Sequence, residues 1–248
     1  MRTGNPALSD RTFAGFGRVS AADQAMTVQG TVNKSILLLA CVLLTSLWVW
    51  KLFFRTLDPA TVTPWLLIGA VGGFVVALIT IFKQTWAGVT APIYALLEGL
   101  FIGGVSALAE AQFPGIVIPA VALTFGTCLA MLLVYKSGLI KVTENFKLGV
   151  VAATGGIALF YLISIVLGFF GIGVPLVFGS GPVGIGFSLL VVGIAALNLV
   201  LDFDFIESGA AQGAPKYLEW YGAFALMVTL IWLYLEMLRL LMKLRSQE

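Results

Sequence analysis

The chain has 248 residues, of which 60% are apolar and only 10% charged, with a mean hydropathy of +1.04. Soluble domains carry about a quarter charged residues, so this chain cannot cover a water-facing surface and its solvent must be lipid. The formal charge of +2 and the scatter of basic residues give no nucleic-acid-binding patch. The absence of histidine removes the usual metal ligand, general base and neutral-pH switch, so proton-linked chemistry falls to carboxylates.

In chain order, residues 1–34 are polar enough to read as a flexible cytoplasmic tail, with Pro6, scattered charges, and Phe13 and Phe16 as its apolar points. So long a polar lead is not a secretory signal. Seven apolar runs follow within 35–245. The first spans Ser35 to Phe54 and carries the interfacial anchors Trp48, Trp50 and Lys51. The second runs from Pro64, acceptable at a helix start, to Phe82. The others run from Gly88 to Ala109, Gly115 to Tyr135, Gly149 to Phe170, Val183 to Phe205 or Gly209, and Leu218 to Leu241. Each is close to the roughly 20 residues a membrane-crossing helix needs. The expected fold is an all-α, polytopic, seven-helix transmembrane bundle with no internal repeat.

Glycine is abundant at 28 residues, and the pairs Gly69/Gly73 and Gly99/Gly103 have the four-residue spacing that lets helices approach closely in lipid. Other glycines are open to a hinge role. Cys41 and Cys128 each lie in an apolar run and read as packing residues. Arg2, Arg11, Arg18 and Lys34 precede the first span, and Lys136, Lys141 and Lys147 separate the fourth from the fifth. This bias puts the N-terminus in the cytoplasm. An odd span count then puts the C-terminus outside, against the preference of Arg239, Lys243 and Arg245.

Charged groups inside hydrocarbon need a partner or a purpose. Glu98 lies mid-way along the third span with no basic residue within a turn, either as a neutral hydrogen-bonded acid or as the lining of a polar path. Asn198, Asp202, Asp204 and Glu207 close the sixth span. Asn198 and Asp202 share a face, whereas Asp204 points about 200° away from Asp202; Asp204 and Glu207 alternatively lie in solvent beyond the helix. Glu236 and Arg239 are three apart and suit a structural ion pair. There is no Gly-x-Ser-x-Gly, phosphate loop or paired-cysteine motif. A serine–lysine dyad is disfavoured because every lysine lies at or beyond a span end. Enzyme activity and a resident cofactor are not expected.

The chain resembles the transmembrane Bax inhibitor family, and more closely its bacterial branch, over all seven spans. The segment Leu139-Ile-Lys-Val-Thr-Glu-Asn-Phe-Lys-Leu-Gly149 and the stretch from Asn198 through Leu241 carry the resemblance best. It implies a multi-pass protein of the bacterial inner membrane that leaks calcium, gated by a proton shared between acids on the sixth and seventh spans. Asp202-Phe-Asp-Phe-Ile206 is similar to the family's Asp-x-Gln-x-Ile, with Asp204 in place of glutamine. For the seventh-span acid, Leu233-Tyr-Leu-Glu236 looks like the family's Leu-Tyr-Leu-Asp, whereas aligning Leu238 to Leu241 puts Thr229 at that position. At 1.5 Å per residue, Asp202 lies about 10 Å below the shared end of the two spans, Thr229 roughly 18 Å and Glu236 roughly 28 Å. Thr229 is therefore the better match and the family's acid pair is broken. Glu98, about 15 Å deep counted from Gly88, is expected to replace it by sharing a proton with Asp202. The rival expectation, also from the resemblance, is a regulator of a membrane-anchored AAA protease working through the tail.

Overall fold

The computed structural model describes residues 25–171 and 175–247. Tail residues 1–24, including Phe13 and Phe16, lie outside the described residues. Among the described residues, seven helices are long and apolar enough to cross a membrane. They are α1 (Val28–Thr56), α2 (Pro59–Phe82), α3 (Ala87–Gln112), α4 (Val117–Lys136), α5 (Glu144–Phe169), α6 (Pro182–Ala211) and α7 (Leu218–Arg245), with a short helix at Pro175–Phe178 before α6. The all-α, seven-span expectation holds.

Several ends differ from the hydropathy reading because polar caps extend helices beyond their apolar runs. α1 starts seven residues before Ser35, where the Thr27 side chain accepts the Gly30 amide. The amide and hydroxyl of Thr27 also donate to Glu219 Oε1, both at 2.9 Å, and Lys34 bonds Oε2 of the same carboxylate. One acid on α7 thus holds the first turns of α1. Gly30 leaves it room, since a Cβ there would lie 2.2 Å from Glu219 Oε1. α2 starts at Pro59 rather than Pro64, under an Asp58 cap that accepts the Ala60 amide at 2.9 Å, and carries Pro64 inside it. Thr143 caps α5, which therefore starts at Glu144, five residues before Gly149.

α7 is the central helix. In its most apolar stretch 61% of residues are buried, against 11% for α4 and α5. It packs on α1, α3, α4 and α6. A second tight group joins α3 to α1 and α2 through the paired glycines. A Cβ on Gly99 would meet Thr45 Oγ1 at 2.0 Å and the Val42 carbonyl at 2.4 Å; one on Gly103 would meet the Ser46 carbonyl, and one on Gly69 the Leu97 carbonyl, each at 2.6 Å. Two long helices, α5 and α4, stand outside this core. α5 packs mainly on α6 and reaches α7 through Tyr161, and α4 rests chiefly on α6 and α7 without close packing against α1.

Candidate ion pathway

A line of polar contacts runs where α5 meets α6 and α7. Lys147, Thr154 and Tyr161 recur every seven residues along α5, a spacing that keeps them on one face. Each has a partner across the interface. Lys147 Nζ lies 3.0 Å from Asp204 and 3.6 Å from Glu144. The Asn198 amide donates to Thr154 Oγ1 at 2.8 Å and to the Ile194 carbonyl at 2.9 Å. Tyr161 donates to Glu236 Oε1 at 2.9 Å and accepts from Arg239 at 2.6 Å. Between these, Val150 and Ile157 supply the buried apolar positions of the face. The result is a heptad-like seam whose alternate rungs are polar.

Asp202, 1% exposed, lies on the helix that carries Asn198 one turn away, beside the seam and close to Cys128 of α4. Its depth relative to α7 follows from neighbouring contacts. Gly222 faces Ile206, where a Cβ would meet the Ile206 side chain at 3.3 Å, and the Phe205 and Tyr221 rings are 6.5 Å apart. Running antiparallel from there, Asp202 falls level with Leu226. Buried Thr229 is then roughly 5 Å further along, and Glu236 roughly 15 Å. Thr229, whose hydroxyl donates to the Ala225 carbonyl at 3.3 Å, is closer in depth to Asp202 than Glu236 is; Glu236 belongs to a separate cluster with Tyr161 and Arg239, which it pairs at 2.9 Å.

Glu98 does not join them, which corrects the expected acid pair. Its helix packs on α1, α2 and α7, and is not packed against α6. The carboxyl lies over Gly73 of α2, where a Cβ would come within 2.7 Å of Oε1. Equal depth placed Glu98 and Asp202 together in the sequence reading; rotation about the bundle separates them. Asp204 and Glu207 are also not simply solvated beyond the helix. α6 stays regular to Ala211, so Asp204 turns away from Asp202 to meet Lys147, and Glu207 accepts the Tyr135 hydroxyl of α4.

The sequence reading missed two buried lysines, Lys147 and Lys243, at 3% and 6% exposure. Lys243, in the last turns of α7, donates to the Val177 and Gly184 carbonyls at 2.8 and 2.9 Å and to Ser188 Oγ at 2.9 Å. Their position near helix ends was right, but helix ends here are packed. Three acceptors take all three ammonium protons, which suits a clamp on the α5–α6 connection rather than a base for Ser188. The available signal was the seven-residue recurrence of Lys147, Thr154 and Tyr161 in an otherwise apolar helix.

From the α1 N-terminal face to the other, α6 and its neighbours therefore carry Glu207, Asp204–Lys147, Asp202, Asn198–Thr154, Glu236–Tyr161–Arg239 and Ser188–Lys243. Charged and hydroxyl groups at successive depths are what a membrane protein needs to pass a hydrated ion or a proton. No group of three metal-binding side chains occurs among the described residues. Fold and polar seam together define a polytopic membrane protein with a line of polar contacts between its helices. A model of the family described as Bax inhibitor 1 like matches residues 5–246, nearly the whole chain, and the chain belongs to that family. No curated protein and no solved structure matches it.

Proposed function

We propose that this protein is a cation leak channel, conducting calcium as its family resemblance implies, whose path lies between α5 and α6 with Asp202 as its central carboxylate. The observation that carries this reading is the polar seam. α5 meets the bundle through three polar contacts at three depths, and beside them α6 carries Asp202, an acid that is costly in hydrocarbon unless it serves a site. In the present arrangement the seam is closed, because its polar groups bind one another. Opening requires α5 to move off α6, exchanging those bonds for water and the ion. α5 suits that motion: a Cβ added at Gly149, Gly155, Gly156 or Gly168 would meet nothing within 4 Å, so these glycines seat no neighbour and leave the helix free to bend. Asp202 then supplies the charge that offsets a cation's lost hydration, and its protonation makes the leak pH-sensitive.

We also place the protein in a bacterial inner membrane with the start of α1 in the cytoplasm. Lys34, Lys83, Lys136, Lys141, Lys147 and Lys216 lie at the face where α1 begins, and the tail arginines precede it in sequence; Lys51, Arg55, Arg239, Lys243 and Arg245 lie toward the other.

The test is calcium flux into liposomes holding the purified full-length protein, across a pH series. Flux that is lower and loses its pH response in Asp202→Asn supports the channel. Absent flux, with turnover of a membrane protease's substrates changing when residues 1–24 are deleted, supports the regulatory alternative instead.

A further inference from the structure

We infer that the cleft between α1 and α4 is a binding site for a zwitterionic phospholipid of the phosphatidylethanolamine type, distinct from the α5–α6 seam. The cleft exists because α1 and α4 do not pack closely on each other, while α7 forms its floor. It opens as two hollows, about 450 Å³ toward the face where α1 begins and about 210 Å³ beyond it. Leu39, Met227 and Leu230 line both, so the hollows are continuous. The deeper one is apolar over nearly its whole wall, with the Ser106–Tyr234 hydroxyl pair, 2.6 Å apart, among its few polar groups. A groove of this form along a membrane-spanning bundle accommodates an acyl chain.

Acyl chains alone give no selectivity, because hydrocarbon in the groove is no better placed than hydrocarbon in the bilayer except through packing. Selectivity comes from the mouth. There Lys136 of α4 and Glu207 of α6 line the same hollow, with the Thr31 and Ser35 hydroxyls of α1 opposite. Lys136 and Glu207 form no salt bridge with each other among the described residues. Glu207 Oε2 takes the Tyr135 hydroxyl, while Oε1 accepts no hydrogen bond from a described residue. A cation and a carboxylate held apart at one rim complement a headgroup bearing a phosphate and an ammonium. The phosphate is placed at Lys136 and the N–H donors at Glu207. A purely anionic head would meet Glu207 repulsively, and a quaternary choline has no N–H to donate.

Native mass spectrometry of the full-length protein, given equal phosphatidylethanolamine, phosphatidylglycerol and phosphatidylcholine, tests the headgroup. Preferential retention of phosphatidylethanolamine is expected, with the preference lost in Lys136→Gln and in Glu207→Gln. Equal retention of the three lipids, or a preference that survives both substitutions, overturns the proposal. Location is tested on the unmodified protein with a phosphatidylethanolamine bearing a photoreactive acyl chain. Labelling concentrated on α1 and α7 around Leu39 and Leu230 is expected; labelling spread evenly over the lipid-facing surface of α2 overturns it.

Discussion

Asp204 and Lys147 show how far the fate of a charge depends on what remains after its partner is removed. Lys147 is buried, its side chain 4% exposed, whereas Asp204 is 22% exposed. Removing the acid strands an ammonium in an apolar interface, leaving only Glu144 at 3.6 Å; removing the lysine leaves an acid that still reaches water. Asp204→Asn is therefore expected to cost about 2–3 kcal/mol, below the range for a fully buried pair, and Lys147→Met clearly less. Unfolding in detergent micelles followed by circular dichroism checks the order, and equal losses would remove the asymmetry. Glu98 gives a second prediction at this scale. It makes no hydrogen bond or ion pair with a described residue and is half-buried against Gly73, so it should be a neutral carboxyl open to lipid. A membrane-soluble carbodiimide should label Glu98 ahead of the deeply buried Asp202, with peptide mass spectrometry as the readout. Glu98→Gln should leave the pH response of flux intact, because Glu98 lies on a helix not packed against α6.

At the level of helices, glycine has two opposite uses. In the α1–α2–α3 group it sets contact distance, and Gly99→Leu should prevent α1 and α3 from closing, lowering thermal stability by several degrees or abolishing purification of folded protein. On α5 it contributes flexibility. Gly155→Ala meets nothing within 4 Å and should stabilise the helix by about 0.5–1 kcal/mol, while slowing flux if α5 must bend. Stability and liposome flux measured on the two variants should move in these opposite directions. The four-residue glycine spacing made the first use legible in sequence, and the seven spans were legible from hydropathy alone. The ends of α1, α2 and α5 were not, because Thr27, Asp58 and Thr143 extend those helices through capping bonds that hydropathy does not register. That Thr229 is closer in depth to Asp202 than Glu236 is was legible because rise per residue fixes depth along paired antiparallel helices. The Glu98–Asp202 separation was not, since depth says nothing about rotation around the bundle.

The whole molecule divides into a glycine-tight core around α3 and α7 and two more loosely held helices, α4 and α5. One borders the apolar cleft assigned to lipid and the other closes the polar seam. Conduction, on this account, is the departure of α5 from α6, with the rest of the bundle fixed. The most direct measurement uses Thr154→Cys with Asn198→Cys, in a protein whose Cys41 and Cys128 are replaced by serine and alanine. The two thiols are bridged by a short reagent carrying a reducible disulfide. Calcium flux in liposomes should fall to background on bridging and return when the bridge is reduced. Flux that continues unchanged with the bridge complete would contradict a path between these helices.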